Sequence, residues 1–278
     1  MNEFNLKDKV AVITGGAGII CSTMARSLAA QGVKTVILDL NGEAATDVAV
    51  QIEKEFRIQS LGISASVLDK ASLEAASKVI HDTFGYINIL INGAGGNSQA
   101  ATTKVEKMDG SENLLDTFFG LQIDAFDKVF DLNFKGTLIP SMVFATDMII
   151  NKSGVIVNIS SMNSFRPLTK IAAYSAAKSA VNNFTQWLAV HFSKTGIRVN
   201  AIAPGFLLTD QNRFLLVEEK TGEPAPRTKK ILNNTPMERF GTPEELTGTL
   251  LYLVSDLSKF VTGIVIPVDG GFSAFSGV

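Results

Sequence analysis

The sequence predicts an α/β fold, a doubly wound parallel sheet in one domain, and three observations carry that prediction. Short β-branched runs alternate with stretches of helical periodicity from Val10 to Ile266. A glycine-rich turn, Gly15-Gly16-Ala17-Gly18, joins the first such run to the first helical stretch. The 278 residues are 46% hydrophobic and 19% charged, enough apolar material for a large core and too much for a disordered chain.

Each element follows from local chemistry. Val10-Ala11-Val12-Ile13 is the first strand and runs into the glycine turn. The helix after it passes through Met24, Leu28 and Ala29, with Gly32 as its C-terminal stop. Thr35-Val36-Ile37-Leu38 is the second strand and ends at Asp39. A helix through Ile52, a strand near 63–67 and a helix around 73–84 continue the alternation. The fourth strand is 87–91, followed by a long helix over 126–149, a fifth strand over 155–159 and a helix over 174–192. A sixth strand covers 198–202, and the last, 264–266, comes after a helix that begins beyond Pro243. Such alternation implies helices on both faces of the sheet and ligands at the carboxyl ends of the strands, where strand order reverses. No internal repeat or linker divides residues 1–278. Two stretches are long for a compact fold, a loop insert over about 93–122 and a substrate lid over about 206–240. The second contains Thr221-Gly222-Glu223-Pro224-Ala225-Pro226, a composition that predicts mobility.

Composition removes several function classes. A net charge of −2 without a basic stripe argues against a nucleic-acid partner. The apolar runs are short, so no membrane span is expected, and the polar start Met1-Asn2-Glu3-Phe4-Asn5 is no signal segment. The lone Cys21 excludes an intrachain disulfide and fits a reducing, cytoplasmic compartment. With only His81 and His191 and no cysteine cluster, no metal site is expected.

The first strand-to-helix turn suits a dinucleotide. Gly15, Gly16 and Gly18 let the backbone approach a pyrophosphate, and the helix start at Ile19 and Ile20 offers free N–H groups and positive dipole charge. Asp39 lies about twenty residues further on, where a carboxylate binds the adenosine ribose hydroxyls. It would repel the 2′-phosphate of NADP, and no Arg or Lys in the turn offsets it, so NAD is the expected cofactor.

Tyr174 and Lys178 stand four residues apart, on one face of a helix. A free phenol titrates near 10, and a fixed cation beside it is expected to lower that value toward neutral pH. Ser161, at the carboxyl end of the fifth strand, would face the pair. A proton donor, its tuner and a hydrogen-bond partner for a carbonyl follow from one strand and one helix. Alone, such a pair is usually a packed ring and a solvated ammonium.

Taken together, these motifs resemble the short-chain dehydrogenase/reductase family over essentially the whole chain, from Val10 to Val268. Thr14-Gly15 opens its cofactor motif, and Asn92-Gly93-Ala94-Gly95 is similar to its fourth-strand motif. The resemblance implies a Rossmann fold, an NAD-dependent enzyme and a catalytic set of Asn133, Ser161, Tyr174 and Lys178. Asn133 would position a water that links Lys178 to solvent, and Lys178 would also hold the cofactor ribose. Further cofactor contacts are implied at Asp69, Asn92, Ala94 and Gly95, and at Pro204, Gly205 and Thr209, which cap the nicotinamide. One departure is plain: the family's last two motif glycines are replaced by Ile19 and Cys21. That replacement bears on phosphate geometry and affinity, not on the fold.

Within the family, the segment from Pro204 to Arg213 and the ending from Asp269 to Val278 resemble the branch that interconverts D-mannonate and D-fructuronate. A sugar acid needs a carboxylate anchor and several hydroxyl partners, and Asn97, Asn163, Arg166, Gln211, Asn212 and Arg213 sit on segments flanking the expected site. An arginine holds a carboxylate through two parallel hydrogen bonds. For each of Arg166 and Arg213 the alternative is a solvated surface side chain. A 3-oxoacyl reductase, or another alcohol or sugar dehydrogenase, stays open on the same scaffold, as does a dinucleotide-binding regulator without catalysis. A homotetramer is expected from the family and from the apolar ending, whose two phenylalanines call for a neighbouring subunit to cover them.

Overall fold

Aliphatic runs build the sheet, and their order places the site. The computed structural model describes residues 4–209 and 226–277. Its strands are β1 (Val10–Thr14), β2 (Lys34–Asp39), β3 (Ser60–Ser64), β4 (Ile89–Asn92), β5 (Gly154–Ile159), β6 (Ile197–Pro204) and β7 (Val265–Val268). All pair in parallel in the order β3-β2-β1-β4-β5-β6-β7. The reversal falls between β1 and β4, whose carboxyl ends meet at the Thr14–Asn92 pairing. A crevice opens at that point in such sheets.

The described helices are α1 (Ile19–Ala29), α2 (Gly42–Phe56), α3 (Lys70–Phe84), α4 (Ile123–Ile150), α5 (Ala172–His191), α6 (Pro226–Asn233) and α7 (Thr247–Val254). The period-two pleat sorts them into two layers. Ala11, Ile13, Ile37, Ile91 and Val157 pack with α1, α2 and α7 on one face. Val12, Val36, Leu90 and Ile156 pack with α3, α4 and α5 on the other. No helix among the described residues is long and apolar enough to cross a membrane, and no cluster of His, Cys, Asp or Glu among them could hold a metal ion.

Two strand positions differ from expectation. β3 is Ser60–Ser64, not 63–67. It is an edge strand with few β-branched residues, aligned by the hydroxyls of Thr35 and Ser60 at 2.8 Å. The apolar Ala65 and Val67 that suggested a strand are buried beyond its end instead, Val67 against Gly136 of α4. β4 starts at Ile89 because the Asn88 side chain accepts the Val10 N–H at 2.8 Å in place of a ladder bond.

The 93–122 stretch contains three single 3₁₀ turns, Gln99–Ala101, Leu114–Asp116 and Phe118–Gly120. Ala101 anchors it in a small cluster with Ala125, Val129 and Ala173. Ion pairs of Lys104 with Asp116 and of Glu106 with Lys230 fasten it further, the second to α6. Of the 206–240 stretch, residues 210–225 lie outside the described residues, and the stretch expected to be mobile falls mostly there. In the ending, Phe272 packs edge-on to Phe206 of the same chain, and both Phe272 and Phe275 are half-buried, so the chain itself covers part of each ring.

Candidate active site

A cleft of about 870 Å³ lies across the carboxyl ends of the strands at the β1/β4 reversal. Its floor is made by backbone. Gly15 adopts left-handed geometry, φ 62°, and a Cβ there would come within 2.8 Å of Ala94. The Thr14 hydroxyl accepts the N–H groups of Gly93 and Ala94 at 3.1 and 3.2 Å and holds the two chain crossings together. Gly16 does not line the cleft; it is buried under Ile37, and its N–H donates to Leu38 O at 3.1 Å.

The expected difficulty at Ile19 and Cys21 has a structural answer. Cys21 turns into the packing between α1 and β4, and a Cβ at Gly93 would run into its sulfur. Gly93 thus gives back the space that a motif glycine at position 21 would have left. Ile19 and Ile20 open α1 and line the cleft. The N-cap Gly18 makes no side-chain cap, and no acidic residue stands in the first turn. This helix start therefore keeps free N–H groups and an uncompensated positive end, which fits a pyrophosphate. At the other end, Asp39 accepts the N–H groups of Ala17 (3.2 Å) and Asn41 (3.0 Å). Its carboxylate is held in place, with lone pairs left for ribose hydroxyls.

The reacting end is assembled by β5, α4 and α5. Ser161 follows β5, and its Oγ accepts the Asn163 N–H at 3.2 Å as the cap of a 3₁₀ turn. It stands close enough to the Tyr174 phenol to favour the ionised form of that group. Lys178, one turn along α5, is buried; its Nζ donates to Ile159 O at 2.7 Å and lies 5.6 Å from the Tyr174 ring centre. Burial pulls this ammonium down to about 8. The expected lowering of the phenol is not what the structure has. Burial pushes the Tyr174 hydroxyl above its ordinary 10, and Ser161 offsets this only in part. A phenolate so enclosed by protein loses part of its hydration, while the Lys178 ammonium is committed to a carbonyl.

Asn133 of α4 spends its side chain on backbone: Nδ2 donates to Gly96 O and Val129 O, both at 2.7 Å, and Oδ1 accepts the Gly96 N–H at 3.2 Å. It meets Lys178 at Gly95, where a Cβ would lie 2.6 Å from Asn133 Oδ1 and 3.2 Å from Lys178 Nζ. Asn92 stays below the cleft, donating to Ser141 and Asn158 at 2.9 and 2.8 Å, whereas Ala94 and Gly95 line it.

Other expected residues separate. Pro204, Gly205 and Thr209 line the cleft. Asp69 does not; it caps α3 by accepting the Ala71 N–H at 3.0 Å. Asn97 is exposed and donates to Thr102 at 3.2 Å. Asn163 is buried beside Ser161, and its Oδ1 has no hydrogen-bond partner among the described residues. Arg166 is exposed and donates through Nη1 to the carbonyl of Phe275. Gln211, Asn212 and Arg213 lie outside the described residues.

The cleft also contains residues that sequence reasoning missed: Leu40, Ser66, Val67, Leu68, Leu132, Phe206 and Leu207. Leu40, 77% exposed next to Asp39, and the run 66–68 after β3 sit at strand ends. The carboxyl-end rule points to Leu40 after β2, and would have found 66–68 had β3 been placed correctly.

A family model described as Enoyl-(Acyl carrier protein) reductase matches residues 16–273. A crystal structure with bound NAD, provisionally assigned as a D-mannonate oxidoreductase from Haemophilus influenza, is 49% identical. It covers 100% of this chain and 99% of its own, with a TM-score of 0.95. An uncharacterized oxidoreductase, UxuB of Bacillus subtilis, is 48% identical over 99% of this chain and 98% of its own. The NAD-dependent glycerol dehydrogenase of Listeria innocua is 33% identical over 98% of this chain and 96% of its own.

Proposed function

The chain belongs to the short-chain dehydrogenase/reductase family of oxidoreductases, and we propose that it interconverts a six-carbon sugar acid and its keto form with NAD, D-mannonate and D-fructuronate first in line. One observation carries the reaction type. Ser161, Tyr174 and Lys178 meet in a single cleft whose other end fits a dinucleotide. When bound, NAD supplies the hydride chemistry. The remaining work falls to side chains.

In this reading Ser161 and Tyr174 donate hydrogen bonds to the substrate oxygen and stabilise the charge that develops on it. Tyr174 gives the proton in ketone reduction and takes it in alcohol oxidation. Because its phenol is pushed up, it carries its proton at neutral pH, the form that reduction uses. Alcohol oxidation needs the proton gone and should speed up as pH rises. Lys178 would hold the cofactor ribose, and Asn133 fixes the backbone at Gly96, next to Gly95, which faces Lys178. Asp39 selects NAD over NADP at the adenosine ribose.

The sugar-acid substrate is supported by the likeness to the Haemophilus structure and by the bare acceptor of Asn163 next to Ser161. Arg213 is the proposed carboxylate partner. The Listeria relative gives a neutral polyol as the competing substrate. Catalytic efficiency with D-mannonate should exceed that with mannitol or glycerol by more than tenfold, the discrimination one partly buried arginine can supply. Equal use of acid and polyol would remove the sugar acid and leave a general alcohol dehydrogenase.

The same reading places the protein in the cytoplasm as a homotetramer. Trp187 and Val190 on α5, with Met142 and Ile150 on α4, are exposed apolar side chains of the kind a partner subunit covers. A monomeric mass by light scattering at micromolar concentration would refute the assembly.

A further inference from the structure

The C-terminal segment is built as a strap. Asp269 follows β7, and its carboxylate accepts the N–H groups of Gly271 and Ser273 at 3.0 and 2.8 Å. Gly270 and Gly271 are left-handed, φ 63° and 89°. The Phe272 N–H donates to Asp269 O at 3.2 Å, and the Phe275 N–H to Gly271 O at 3.1 Å. Such a turn draws part of its order from its own bonds and leaves the rest to what holds its far end. Out of it, Phe272 packs edge-on against Phe206, with 5.4 Å between ring centres. Three residues later the Phe275 carbonyl accepts from Arg166. A charged donor makes this bond stronger than a neutral one.

Phe206 lines the cleft just past β6, and Arg166 stands five residues after Ser161 on the segment that follows β5. The tail thus ties together the two segments that border the reacting end. Arg166 itself does not line the cleft. We propose that residues 269–275 form an intramolecular strap that sets the spacing of these two segments. Arg166 is then a positioning residue that acts on substrate recognition through the Phe275 carbonyl. Only the kinetic consequence rests on the oxidoreductase reading; the strap itself can be tested without substrate.

Hydrogen exchange at the amides of Phe272 to Phe275, in full-length Arg166→Ala against the parent, reads the strap directly. Exchange there should accelerate about tenfold while the sheet is unchanged, since the bond removed is local. Unaltered exchange overturns the strap. The kinetic arm is a double-mutant cycle between Arg166→Ala and deletion of residues 272–278. It is read on KM and kcat for D-mannonate, or for whichever alcohol of a panel the enzyme oxidises best. Each single change should raise KM roughly fivefold with kcat within about twofold, and the double variant should match the deletion alone. Arg166→Lys, which keeps a charged donor, should recover most of the loss. A further KM rise of about tenfold when Arg166→Ala is added to the deletion, for the acid but not for a neutral alcohol, overturns the proposal and makes Arg166 a direct carboxylate ligand. If no alcohol is oxidised at all, the oxidoreductase reading fails while the exchange result still decides the strap.

Discussion

The two ends of the cleft are made from different materials. The dinucleotide end is backbone fixed by the sheet: Gly15 against Ala94, Thr14 bridging to Gly93 and Ala94, and the uncapped start of α1. The reacting end is side chains: Tyr174 and Lys178 on α5, Ser161 on a 3₁₀ turn after β5, and Phe206, which lines the border of the cleft and packs on Phe272. Backbone in a parallel sheet tolerates little change, because each displacement breaks ladder bonds on both sides. Loops and rings can be replaced one contact at a time. One scaffold can therefore keep its dinucleotide site while its substrates vary, as a 2-dehydro-3-deoxy-D-gluconate 5-dehydrogenase and a glycerol dehydrogenase among its relatives illustrate.

Three variants test this contrast, the largest effect first. Tyr174→Phe removes the proton path and leaves the backbone floor untouched. Turnover should fall at least about a hundredfold with NAD affinity nearly unchanged; single-turnover rates and calorimetric titration of NAD measure the two separately. Near-normal turnover would take Tyr174 out of the mechanism.

Lys178→Met probes the border between the two ends. The buried Lys178 ammonium has been pulled from 10.5 to about 8. Between those values the unfolded chain binds more protons than the folded one, so the parent gains stability as pH rises from about 8 to 10.5. The methionine variant lacks that gain. Its stability advantage over the parent should shrink by on the order of 2 kcal/mol between pH 7 and pH 10 in denaturant titrations, roughly thirtyfold in the folding equilibrium. A gap that does not move with pH would mean the lysine stays charged in the fold.

Gly93→Ala acts on the backbone end alone. Its new methyl would strike the Cys21 sulfur, and NAD affinity should fall about tenfold while the substrate KM at saturating NAD stays put. Adding Cys21→Gly should restore part of the affinity; the Thr14 carbonyl oxygen, 2.9 Å from the new methyl, holds back the rest. If it restores none, the two positions are not a complementary pair, and the floor owes its shape to Thr14.

How much of this was legible in the sequence depends on how local each cause is. Strands with strong β-branched runs, such as Val10-Ala11-Val12-Ile13, stand where expected because their burial on both faces demands that composition. β3 was shifted because Ala65 and Val67 owe their burial to packing at a strand end, not to the pleat. Ser161, Tyr174 and Lys178 could be placed together because one strand end and one helical turn bring them there. The titration of Tyr174 could not be read, since it depends on how much water the finished cleft admits. Arg166 was equally opaque. Its partner lies 109 residues away and is a main-chain carbonyl, which leaves no mark on residue identity. Asp69 could be placed but not assigned, because the same carboxylate suits a helix cap as well as a ligand.

Cys21 is the only thiol in the chain, wedged beside Gly93, with its pKa pushed up to about 12 by burial. In that setting the thiolate is disfavoured, and the sulfur is almost wholly covered although it borders the cleft, so the intact protein should react only slowly with alkylating probes. Labelling should be fastest in the moments when α1 lifts from β4. The rate at which a thiol reagent is consumed is then a built-in stopwatch for that opening, with no dye or engineered residue to install. A dinucleotide seated on the same helix start should slow the stopwatch in proportion to its occupancy, and so turn a packing detail into a binding assay.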